Sequence, residues 1–309
     1  MRFTEFKSII DLVNKFPNEQ SCIDYLANLR WVNGIVSPFD ETSKVYVCKG
    51  NKYRCKNTGK YFNVRTGTMF DDTKLPLQKW FMAIYLMASH KKGISSYQLA
   101  RDLGITQKST WFMLHRIRYS FGHENVQPIL KGTVEIDETY IGGKTTNKHK
   151  AERDRRNAKG TGSINLAPVF GMLERDGELR TWAVPFASGA TLKPIIREFV
   201  SKDAIIITDG FGAYSGLHKE FKEHGIVRHD QKEFVRGIYH TNTIEGFWSM
   251  LKRGIIGIYH FVSPKHLDQY LTEFTYRYNT REYSESHRFA LVLSNAGNKR
   301  LRYNKLVNR

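Results

Sequence analysis

The chain has 309 residues, with 48 lysines and arginines against 30 acidic residues and a formal net charge of +18, giving a pI near 9.7. That balance favours a polyanionic partner, and membrane is the weaker choice: no stretch approaches the roughly 18 apolar residues of a spanning helix, and the first residues lack the apolar run of a secretory leader. Cys22, Cys48 and Cys55 are the only cysteines, an odd number in a large chain, which argues against a disulfide framework and for a reducing, cytoplasmic setting.

The first 35 residues read as helical. Phe6, Ile9, Ile10, Leu12 and Val13 form one apolar stripe, and a second helix is expected near Ile23 to Trp31. The period then changes. Val45-Tyr46-Val47, Tyr53-Arg54-Cys55 and Tyr61 to Val64 are short strands between Gly/Asn/Lys turns, outlining a ribbon that closes a first segment at 1–72. From Leu77 come three helices, the last running from Gln107 to Arg118 after a turn at Gly104, so 73–125 reads as a helix-turn-helix-like segment. A plain helical bundle is the competing reading of the same spacing.

After Val126 three strands follow one another: Gly132 to Tyr140, Ala167 to Leu173 and Leu179 to Pro185. A helix at Leu192 to Val200, a strand at Ala204 to Asp209, a turn of helix near Tyr214 and a strand at Gly225 to His229 complete the pattern, with helices again at Thr243 to Arg253 and Pro264 to Tyr278. The fold class expected is α+β, a mixed sheet covered by helices over 126–285, with 286–309 as a basic C-terminal tail, mobile from Asn295 to Arg309.

The chemistry-bearing residues are acidic. Glu135, Asp137 and Thr139 share one face of their strand and Ile136 and Glu138 the other. Asp209 ends an Ile-Ile-Ile-Thr strand before Gly210, a position at which α/β sheets often carry chemistry. Each aspartate alone could equally cap the next helix. Asn242 and Glu245 have the spacing of a capping box, which needs no catalysis. Lys252, two helical turns after Glu245, lies on the same face. A carboxylate for a metal beside a lysine for a phosphate suits work on a nucleic-acid backbone.

These motifs carry a resemblance. The run from His240 through Asn242, Glu245, Trp248 and Lys252 to Gly254, preceded by Val134 to Gly143 and by Thr208-Asp209-Gly210, resembles the bacterial insertion-sequence transposases of the ISXO2-like type, and the Tyr270 to Phe274 and Arg277 to Arg281 runs extend the likeness. The resemblance implies a ribonuclease H-like DDE catalytic domain. In it Asp137, Asp209 and Glu245 would hold two magnesium or manganese ions, with Lys252 as the basic residue after the glutamate and Asn242 as a reserve for the third acidic role. It also implies strand cleavage at element ends and 3′-hydroxyl transfer into target DNA. The partners would be double-stranded DNA, terminal inverted repeats and target alike, with a homodimer or higher oligomer on the DNA. Magnesium or manganese suits an all-oxygen site on chemical grounds as well.

Relatives of this kind often carry a zinc ribbon with two Cys-x-x-Cys pairs. Here the first position reads Ser37-Pro38-Phe39-Asp40 and the second Cys55-Lys56-Asn57-Thr58. Three of four thiolates are missing, so a degenerate ribbon without zinc is expected. Lys144, Lys148, Lys150, Arg153, Arg155, Arg156 and Lys159 form a basic loop directly after the Asp137 strand. With Lys108 and Arg253 they are the candidate contacts to DNA phosphates. Two other functions remain open: a transposase-derived regulator that binds DNA without cutting it, and a structure-selective nuclease of the same fold that cuts without joining.

Overall fold

The computed structural model describes residues 6–122, 129–142, 166–228 and 235–308. The chain separates into two units, one from residues 1–122 with 282–309 and the other from 123–281. The first begins with α1 (Ile9–Lys15) and α2 (Glu19–Arg30), each opened by a capping box, from Ser8 and Asn18. Of the expected apolar stripe, Leu12 is buried whereas Ile10 and Val13 are exposed; in a helix of two turns only one edge reaches the core. An antiparallel sheet follows, β1 (Val45–Cys48), β2 (Lys52–Cys55) and β3 (Tyr61–Phe62), in sequence order.

Beside this sheet lie the residues in question for zinc. Ser37 and Asp40 are bridged to each other, Cys55 and Ser37 are fully buried, and Asp40 accepts from Thr42 and Asn57. Burial pushes the Cys55 thiol up, but hydrogen bonds from the side chains of Ser37, Ser43 and Thr58 outweigh it and bring the thiol down to about 6. Cys22 lies apart, buried in α2 with its thiol pushed up to about 12, chiefly by burial.

Three helices come next: α3 (Leu77–Ser89), α4 (Ser96–Leu103) and α5 (Gln107–Phe121). Gly104 ends α4 in the left-handed region at φ 59°, a conformation glycine adopts without a Cβ clash. Trp80, Phe81, Ile84 and Met87 of α3 are all buried, and α3 packs against α1, α2, α4, α5 and the helix Glu285–Ser294 at the centre of the unit. The basic tail begins within α9 (Glu285–Ser294), and the part expected to be mobile, from Asn295, forms α10 (Tyr303–Val307) instead, both numbered after the helices of the second unit. Phe289 of α9 is fully buried, its ring 5.3 Å from Phe81 and 5.2 Å from Phe6. The basic count of the tail hid an apolar helix face.

In the second unit, β4 (Thr133–Ile141), β5 (Ala167–Glu174), β6 (Leu179–Ala183), β7 (Ile205–Asp209) and β8 (Glu223–Val227) form one mixed sheet in the order β6-β5-β4-β7-β8. The first three strands are antiparallel neighbours, while β4 to β7 and β7 to β8 are parallel. Parallel neighbours need a crossover, and α6 (Gly189–Phe199) supplies one. Leu192 and Ile196 of α6 pack with Ile136, Phe170, Met172 and Ile206. The other core joins Val169, Leu173 and Leu179 to α7 (Asn242–Gly254) and α8 (Leu267–Asn279) through Ile244, Trp248, Leu251 and Phe274. The strand residues supplying these two cores alternate along the sheet, as the period of a strand buried on both faces requires.

Candidate active site

Two adjacent parallel strands carry the aspartates. The β4–β7 register pairs Thr133 with Ile205 and Glu135 with Ile207; continued by two residues it brings Asp137 level with Asp209. The Asp137 carboxyl is raised to about 7, first by burial and then by the charges of Glu138 and Asp209, against a hydrogen bond from Trp248. That bond runs from the indole Nε1 to Oδ2 over 2.9 Å. Gly171 is the cross-strand partner of Asp137 on β5. A Cβ there would stand 2.6 Å from the Trp248 ring, so the glycine makes room for the indole that orients the aspartate.

Glu135, two residues earlier on the same face, is fully buried. One carboxylate oxygen accepts from the Thr243 and Ile244 backbone N–H groups, each at 3.0 Å, and the other from the Thr243 hydroxyl at 2.9 Å. Arg175 closes the set at 2.8 Å, and its guanidinium also donates to the carbonyls of Ile238 and His240. A strand carboxylate thus satisfies the N–H groups at the start of α7, where the helix dipole favours negative charge.

The expected capping box between Asn242 and Glu245 is therefore not what opens this helix. Thr241 precedes the first turn, Asn242 is its first residue and is exposed, and the Thr241 hydroxyl donates to Glu245 Oε1 at 2.8 Å. A buried anion balanced by Arg175 displaces the weaker local amide. Glu245 and Lys252 are both exposed on α7, as is Arg253.

Glu138 faces away from α7, yet it too belongs to the site. The Tyr214 hydroxyl donates to it over 2.5 Å, and its carboxyl is raised by burial and by Asp209. The tyrosine is pushed well above its usual value, by burial first and then by Glu138. Asp209 accepts from the Phe211 N–H at 3.0 Å, fixing the turn after β7, while the Thr208 hydroxyl and His224 Nε2 lie 2.9 Å apart. His224 is lowered to about 4 by burial and by His218.

Among the described residues no three Asp, Glu, His or Cys side chains gather closely enough to enclose one metal ion. The donor chemistry nonetheless fits a hard divalent cation. Asp137 feels the charges of Glu138 and Asp209, and carboxylate oxygens are the donors that magnesium or manganese takes.

Residues 129–279 match the family model of the ISXO2-like transposase domain, a span that coincides closely with the second unit. A transposase-like protein of Haemophilus influenzae is 34% identical over 102 residues, which is 33% of this chain and 81% of that relative. The chain belongs to the ISXO2-like transposase family. A protein of the transposable element ISH50 from Halobacterium salinarum is 28% identical over 278 residues, covering 86% of this chain and 92% of that protein.

In the transposase the remaining expected residues are scattered. Lys108 is exposed in the first turn of α5, its ammonium 5.8 Å from the Tyr303 ring. Arg116 and Arg118, by contrast, are buried. The basic loop with Lys144, Lys148, Lys150, Arg153, Arg155, Arg156 and Lys159 lies outside the described residues. No helix among the described residues is long and apolar enough to cross a membrane. Sequence reasoning missed the roles of Glu135, Gly171, Tyr214 and Trp248. Glu135 left one signal, a charge on the same strand face as Asp137.

Proposed function

We propose that the second unit is a ribonuclease H-like DDE catalytic domain that cuts DNA strands at the ends of an insertion element and joins the new 3′-hydroxyl to target DNA. The observation that carries this reading is the level placement of Asp137 and Asp209 on neighbouring parallel strands, with Asp137 raised to about 7. Asp137, Asp209 and Glu245 would hold two magnesium or manganese ions, which would supply Lewis-acid activation of water and charge stabilisation at the scissile phosphate. The protein's own part is placement. Trp248 fixes the Asp137 rotamer, Phe211 N–H fixes Asp209, and Glu135 ties down the first turn of the helix that carries Glu245. Lys252, on the face of Glu245, engages a DNA phosphate.

Water adds to phosphorus as the bond to the 3′-oxygen breaks, leaving a 3′-hydroxyl and a 5′-phosphate. In the second step that hydroxyl attacks a phosphate of target DNA and displaces its 3′-oxygen. The first unit binds the inverted repeats, with Lys108 and the start of α5 meeting the duplex and the β1–β3 sheet acting as a degenerate ribbon without zinc. The basic loop at 143–160 clamps phosphates, and the chain works as a homodimer or higher oligomer on DNA.

The test uses the full chain and DNA bearing the inverted repeats that flank its gene. In magnesium, wild type nicks and joins; Asp137→Asn and Asp209→Asn lose both while keeping gel-shift affinity. Glu245→Gln keeps its melting temperature and loses nicking; wild-type-like nicking would return Glu245 to a purely structural role and turn attention to Asn242. Binding without nicking would favour a regulatory DNA-binding protein, and nicking without joining a nuclease.

A further inference from the structure

Beside Asp209 opens a cleft of about 750 Å³, walled by the turn after β7 and the end of β8, with Phe211, His218, Ile226 and Arg228 along it. Asp209 and Tyr214 form part of its wall, while the Phe211 ring, Ile226 and Arg228 have no role in the catalytic arrangement. Its volume is in the range of about 300–1,000 Å³ that holds small organic groups, too small for paired, stacked DNA. Phe211 and Ile226 expose apolar surface there, and the sites where Gly210 and Gly212 would carry a Cβ face open space.

Phe211 is held in place. Its backbone N–H is bonded to Asp209 Oδ1, and its ring meets Tyr214 edge-on at 5.9 Å. Tyr214 in turn is tied to Glu138. An aromatic plane is thus fixed two residues from a carboxylate assigned to the scissile phosphate, with Arg228 among the residues lining the same cleft. We infer that this cleft receives a single unstacked nucleotide adjoining the cleaved phosphate, its base stacked on Phe211 and its phosphate met by Arg228. Base–aromatic stacking tolerates any base, so the cleft selects for unstacking at that step more than for sequence. This rests on the proposed DNA-cleaving role of the second unit.

The experiment is a cross between protein and DNA changes, using the full chain and the element-end duplex, with binding measured in EDTA and the cut site mapped separately in magnesium. Phe211→Ala weakens binding about tenfold. Removal of one base, the one next to the cleaved phosphate, abolishes that difference, while abasic sites elsewhere leave it intact. Arg228→Ala weakens binding whichever base is removed and lessens its salt dependence. Phe211→Leu, which keeps apolar packing on Tyr214, repeats the loss if Phe211→Ala melts early. A Phe211 penalty that is absent, or unchanged by every abasic site, overturns the inference while normal nicking leaves the transposase reading standing. Failure to bind or nick element ends at all overturns both.

Discussion

In the first unit the Cys55 thiol lies among hydroxyls; in the second the Asp137 carboxyl lies among carboxylates. Burial disfavours the charged form of both, yet donors from Ser37, Ser43 and Thr58 bring the thiol down to about 6 whereas Glu138 and Asp209 help drive the carboxyl up to about 7. At Cys55 the neighbours overturn the effect of burial, whereas at Asp137 burial leads and the neighbouring carboxylates add to it. A thiolate fed by hydroxyl donors needs no cation, while an acid crowded by acids has a deficit that only a cation or a proton removes. Glu135 completes the contrast within the second unit: it sits two residues from Asp137 on the same strand face and is satisfied by Arg175 and by α7.

The comparison breaks first at Glu135. Glu135→Ala leaves Arg175 and two helix N–H groups without their acceptor, and the expected loss is about 3–5 kcal/mol, the usual cost of removing one partner of a buried pair. Glu135→Gln, which keeps an acceptor oxygen, should lose less. Urea midpoints decide this; equal and negligible losses in both variants would mean the clasp contributes no stability.

A smaller effect is expected at Gly171. Its substitution by alanine puts a methyl group 2.6 Å from the Trp248 ring, an overpacking cost of about 1–3 kcal/mol. The indole must shift, so nicking should fall together with the melting temperature, and nicking at the wild-type rate would detach Trp248 from the chemistry.

The third effect sharpens the sign contrast directly. Asp137 has a folded value near 7, above its ordinary 3.8, so the unfolded chain binds fewer protons and metal-free stability should decline as pH rises from about 4 to about 7. Cys55 has a folded value near 6, below its ordinary 9.0, so its contribution is present above pH 9 and is lost as pH falls through about 6. Asp137→Asn should remove the first slope and Cys55→Ser the second, in melting temperatures read in EDTA. Added magnesium should restore stability at neutral pH, by binding the folded state. Coincident profiles for wild type and both variants would dissolve the contrast.

Much of the second unit was legible because its strands carry long apolar runs and β7 ends on its aspartate, although β4 runs on past Asp137 to Ile141; the observed bounds of β4, β5 and β7 lie within one residue of those expected. What stayed hidden depends on distance along the chain. Glu135 meets Thr243 across 108 positions, and Tyr214 meets Glu138 across 76, so neither has a local signature. Local signals also misled. Asn242 and Glu245 have ideal capping spacing, yet a charged acceptor from another element takes the helix N–H groups. The lysines and arginines after Asn295 masked Phe289, Val292 and Leu293, which the fold buries.

The first unit draws on both sides of the second: Phe289 closes a ring cluster with Phe6, Phe16 and Phe81. On a ribosome that order matters. Residues 129–279 emerge and can pair their strands while the ring cluster still lacks its fourth member, because α9 is made after them. Chains released early therefore carry the five-stranded sheet of the second unit without a finished first unit.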